Sequence, residues 1–164
     1  MGCPEGCKVQ IVGGRVVVEP PPDSAHNDTV DELQRLLYTA IPRDWGAYQA
    51  LELTVPGGQG LFVPDLAVAP KKRRAEDAAR FVVEVTSRCG ARHDRVDKLR
   101  GYAVIGVPLY LLLDPWHSGK PTATLHGEPE GGSYRGLEMV KYGDELRLPA
   151  PFDVTVDTAL FPVG

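Results

Sequence analysis

The 164-residue chain has few cysteines, few aromatic side chains, no long apolar run and no excess of positive charge. Cys3, Cys7 and Cys89 are an odd number without the spacing of a disulfide framework, which fits a reducing compartment. Cys3-x-x-x-Cys7 and Cys89-x-x-x-His93 have the ligand types of a zinc site. The two halves lie far apart, however, and the plainer reading is a loose N-terminus plus one core or loop thiol. No segment approaches the roughly 20 apolar residues that cross a bilayer. The opening MGCPEGCKVQ lacks the apolar core of a signal peptide, and Gly6 stands where a myristoylated chain has Ser or Thr. A cytoplasmic protein is the expectation. With 22 acidic against 18 basic residues the formal net charge is −4. That balance argues against coating nucleic acid through bulk positive charge, and it leaves room for a local basic cleft.

What is present suits one globular domain over 1–164, because 43% hydrophobic and 24% charged residues are ordinary for such a chain and its length can bury a full core. A first strand is expected from about Gln10 to Glu19, with a bulge or turn at Gly13–Arg15. Pro20–Pro22 break it, and the capping side chains of DSAHND open a helix. Val30, Leu33, Leu37 and Ala40 recur at helical spacing along one stripe until Pro42 stops the pattern. The stretches 47–55 and 61–69 predict a hairpin across PGGQG, a turn segment without the Lys-Ser/Thr of a phosphate-binding loop. Lys71–Arg74 read as a solvated basic loop, with phosphate contact the minority reading. FVVEVTS at 81–87, a helix from about Arg92 to Val104 and the apolar strand 108–115 then form a parallel crossover unit. Short segments after 116, broken by Gly and Pro, predict a C-terminal β meander over 117–164, leaving a core at about 24–116.

Chemistry enters with the carboxylates. Side chains alternate along a strand, so Phe81, Val83 and Val85 face one way and Val82, Glu84 and Thr86 the other. A carboxylate buried without a partner costs several kcal/mol, roughly, so Glu84 calls for a cation, a metal ion or a raised pKa. The bland alternative is a strand-end residue paired with a nearby arginine. Asp65 closes the apolar run LFVPD on the preceding strand, and two carboxylates on adjacent strands can share one hard cation. On the following helix Asp94, Lys98 and Tyr102 share one flank, while Val96, Leu99 and Ala103 form the apolar stripe. Taken alone, Asp94 and Lys98 read as a surface ion pair.

His26 opening a helix, Pro64-Asp65, Glu84-Val85-x-Ser87, Asp94-x-x-x-Lys98, Tyr102 and GVPLYLLLDP together resemble the Uma-type restriction endonuclease family of the PD-(D/E)XK nuclease superfamily. The resemblance runs from about His26 to the closing LFP. It implies an α/β (α+β) restriction-endonuclease-like core, a mixed sheet flanked by helices with terminal β-hairpins. It further implies a Mg²⁺- or Mn²⁺-dependent endonuclease acting on DNA, with Asp65, Glu84 and the Val85 carbonyl at the metal and Lys98 beside the attacking water. The superfamily lysine stands two residues after the acidic residue; here that place is Thr86, and Lys98 on the helix matches the substitute position. His26, Ser87 and Asp94 are accessory candidates. Paired copies cutting two strands imply a homodimer. The alternative is a nuclease-fold module that binds nucleic acid or protein without turnover, which the acidic balance favours and the Asp65, Glu84 and Lys98 set disfavours.

Overall fold

The computed structural model describes residues 5–72, 79–88 and 93–163, with backbone alone at 93, 94 and 118. Cys3, Cys89, Arg73, Arg74 and the side chains of His93 and Asp94 lie outside the described residues. The segment expected as one strand is a hairpin: β1 (Lys8–Val12) and β2 (Arg15–Glu19) pair antiparallel. Gly13 and Gly14, at φ 57° and 75°, supply the left-handed two-residue turn that matches the twist of the strands. The strand also begins earlier than expected, taking in Lys8 and Val9, and its register sets Lys8 opposite Glu19.

Helix α1 (Ser24–Ala40) starts where the capping residues predict, with Asp23 accepting a hydrogen bond from the His26 backbone N–H at 2.8 Å. Val30, Leu33 and Leu37 are its buried stripe, each contributing about 1.5–3 kcal/mol by burial.

The hairpin expected between 47–55 and 61–69 divides into four strands in two sheets. β3 (Trp45–Tyr48) pairs with β6 (Leu66–Pro70), whereas β4 (Leu53–Val55) pairs with β5 (Gly60–Phe62). Pro64, which has no N–H for a ladder, sits at the break between β5 and β6. β7 (Phe81–Val85) pairs antiparallel with β6 and parallel with β8 (Leu109–Asp114), and every residue of β7 and β8 is buried. A strand covered on both faces reads as a continuous apolar run, as both do. Between them a π-helical turn, His93–Lys98, runs into α2 (Leu99–Ile105).

The C-terminal segment does more than add a meander. β9 (Thr122–Glu130) and β10 (Ser133–Lys141) extend the large sheet, whose order is β10-β9-β8-β7-β6-β3, and β11 (Glu145–Leu148) pairs with β12 (Val154–Asp157) in a separate ribbon. The small sheet has the order β2-β1-β5-β4. One face of the large sheet packs through Val68, Phe81, Val83 and Leu111 against α1 and the ribbon. The opposite face packs through Ala67, Val82, Tyr110 and Leu112 against α2 and the small sheet. Among the described residues no helix is long and apolar enough to cross a membrane.

Candidate active site

β6 and β7 run antiparallel with Leu66 opposite Val83 and Ala67 opposite Val82. One further step of that register brings Asp65, just before β6, opposite Glu84, on the sheet face that α2 covers. Asp65 Oδ2 accepts the Val85 backbone N–H at 2.8 Å, which ties the acid to the end of β7. Both carboxylates are buried, Glu84 to 1% exposure. Together with His26, Thr86 and Ser87 they line a cavity of about 430 Å³.

Each acid has its own ammonium. Lys98 Nζ lies 3.2 Å from Glu84 Oε1, and the Tyr102 hydroxyl donates to the same oxygen at 2.5 Å. Lys8 Nζ donates to Asp65 Oδ1 at 2.6 Å. Glu19 bridges the two, with one oxygen 3.8 Å from Lys8 and the other 3.8 Å from Lys98. His26 Nε2 sits 3.2 Å from Asp65 Oδ2 but makes no hydrogen bond. Burial pushes the Asp65 carboxyl up, yet the charges of Lys8, His26 and Lys98 outweigh it and hold Asp65 below the usual carboxylate range. Burial likewise depresses the Lys8 ammonium, and the charges of Asp65 and Glu84 more than restore it, so it lies above its ordinary value.

The expected apolar stripe of the second helix is corrected. Val96 is 59% exposed, whereas Lys98 is 1% exposed and Tyr102 is fully buried. Val96 belongs to the π-turn, whose wider i to i+5 spacing breaks the 3.6-residue periodicity. Lys98 and Tyr102, four residues apart on the flank expected for them, face Glu84 together, and Lys98 makes a buried ion pair with it.

Thr86, where the superfamily lysine would stand, is engaged elsewhere. Its hydroxyl donates to Asp114 Oδ1 at 2.9 Å, and Arg95 Nε donates to Asp114 Oδ2 at 2.5 Å. Ser87 is exposed at the cavity. Beside it the Arg88 guanidinium lies 4.3 Å from the centroid of the Trp116 ring, and both residues also line the cavity. Lys8, Glu19 and Asp114 are contacts that the sequence reading did not name. Only Asp114, the acid ending the apolar run LYLLLD, carried a visible signal, since it repeats the pattern of Asp65.

Among the described residues no three His, Cys, Asp or Glu groups form a metal cage. Cys7 is a free thiol, and Cys3, Cys89 and the His93 side chain of the expected zinc set lie outside the described residues. A hard cation needs less, since Mg²⁺ is commonly held by one or two carboxylates and completed by waters. Asp65 and Glu84 provide such oxygens in one cavity, and the Nε2 of His26 is a buried polar atom left without a hydrogen bond beside them. The residues fit a Mg²⁺-type ion.

Over residues 3–160 the chain matches the sequence model of the Uma2 family, described as "Putative restriction endonuclease". No curated protein matches it. Among solved structures it is similar to a crystal structure described as "a putative nuclease belonging to DUF820" from Anabaena variabilis ATCC 29413. The TM-score is 0.65 at 18% identity, with 93% of this chain and 89% of that chain covered. At that identity the likeness establishes the fold, a mixed α+β architecture shared with that protein.

Proposed function

Since the chain belongs to the Uma2 family of restriction-endonuclease type, we propose that it is a divalent-metal-dependent endonuclease hydrolysing phosphodiester bonds of DNA. One observation carries the reading: Asp65 and Glu84 share a sheet face and a cavity, each against an ammonium group. In this reading Asp65, Glu84 and the Val85 carbonyl hold Mg²⁺ or Mn²⁺. Bound there, such an ion would supply Lewis-acid charge to activate water and to offset charge on the phosphate.

The chain's own groups do the rest. Lys98 and Tyr102 fix Glu84 Oε1, so the acid stays oriented. In this reading Lys98, paired with Glu84, would orient the attacking water or offset charge developing on the phosphate. Asp65 is aligned by the Val85 N–H. His26 Nε2 lies beside the same carboxylate, and Ser87 lines the mouth of the site. Arg88 and Trp116 present a guanidinium and an aromatic face, the groups that hold phosphates and bases. A homodimer would bring two such sites to two strands. A second reading, nucleic-acid binding without turnover, draws on Thr86, whose hydroxyl is spent on Asp114 where the superfamily has its lysine.

Incubation with plasmid, linear and single-stranded DNA and with RNA, in MgCl₂ or MnCl₂, separates the two. Wild type cleaves DNA, and Glu84→Gln and Lys98→Met, checked for fold by circular dichroism, lose about 10²-fold or more. DNA bound but uncut by wild type supports the second reading; equal cleavage by all three proteins defeats the first.

A further inference from the structure

Lys8 reaches the site from outside the large sheet. The Gly13–Gly14 turn sets it opposite Glu19, and the packing of the small sheet carries its ammonium to Asp65, 57 residues away in sequence. A lysine at a strand start ordinarily runs its stem over apolar surface and leaves the charge in water. Here the charge turns inward, 2.6 Å from Asp65 Oδ1.

An ammonium and a divalent cation compete for the same carboxylate and repel each other, and Lys8 already occupies one side of Asp65 Oδ1. The two lysines differ in what they can do about it. Lys98 is 1% exposed, whereas the Lys8 side chain is 23% exposed and lines the cavity. Lys8 can withdraw into that space without unfolding its strand, and Glu19 lies close enough to guide it.

We propose that Lys8 is a tethered stand-in for the metal: its ammonium holds Asp65 until a divalent cation takes that carboxylate, and then binds a phosphate of the nucleic acid. Ion and phosphodiester therefore reinforce each other's binding, by the factor of about 5 to 150 common for coupled sites. This rests on the metal-site reading above. The coupling is reciprocal, so it is readable from the metal alone.

Calorimetric titration of MnCl₂ into the full chain tests it, for wild type, Lys8→Met and Lys8→Arg, with and without a phosphorothioate DNA duplex that resists cleavage. Without DNA, Lys8→Met binds Mn²⁺ at least about fivefold tighter than wild type, and Lys8→Arg, which keeps the charge, binds like wild type. The duplex tightens Mn²⁺ binding to wild type and not to Lys8→Met. A folded Lys8→Met that binds Mn²⁺ equally or more weakly, as loss of a merely structural ion pair would give, overturns the proposal while the metal reading stands. Absence of Mn²⁺ binding by every form, duplex present, removes the metal reading and the proposal with it. Should Lys8→Met fail to fold, Lys8→Gln carries the same expectation.

Discussion

At Asp65 burial and charge work against each other, and the resultant has a sign that stability measurements can read. Its carboxyl lies below the ordinary 3.8 because Lys8, His26 and Lys98 outweigh the desolvation. Between the folded and unfolded values the unfolded chain binds more protons, so stability falls as pH falls through that window. The contribution of Asp65 is complete above about pH 5 and is lost as pH drops through 3.8 toward the lower folded value. In EDTA, urea midpoints of wild type should decline more steeply between about pH 5 and 3 than those of Asp65→Asn; parallel declines would contradict this. Asp65 and Glu84 were legible as single acids interrupting apolar runs. Lys8 and Glu19 were not, because their approach to those acids depends on how a separate hairpin packs on the large sheet, which no local pattern encodes.

Elements differed in legibility for a similar reason. α1, β7 and β8 are visible in sequence because their capping residues and apolar runs act locally. The four strands between 45 and 70 read as two, since each pair of neighbours is extended and only long-range pairing assigns them to different sheets. The π-turn misled the helical stripe in the same way: burial of the Lys98–Glu84 pair, not apolar spacing, decides which side of the second helix turns inward. Gly101 controls how closely that helix docks. A Cβ there would run into the Phe62 ring, which packs edge-on against Tyr102 at 5.2 Å between centroids. Alanine is the better helix former by about 1 kcal/mol, yet Gly101→Ala should destabilise by about 1–3 kcal/mol because α2 is pushed off the small sheet. Chemical denaturation checks this, and a gain in stability would show that the docking is looser than described.

On the scale of the whole molecule, the acids come from the large sheet, Lys98 and Tyr102 from the helical segment across its face, Lys8 and Glu19 from the hairpin of the small sheet, and His26 from α1. Layers that pack through separate apolar clusters thus meet at one polar point, where the α2 face of the sheet ends. Family membership assigns the class of chemistry, and this convergence is the reason for expecting an ion there. The most direct test is anomalous diffraction at the manganese edge from a crystal grown with MnCl₂ and an uncleavable DNA duplex. The predicted result is a peak at coordination distance, about 2.1 Å, from carboxylate oxygens of both Asp65 and Glu84. Manganese bound elsewhere on the chain, with Lys8 still seated on Asp65, would contradict the account.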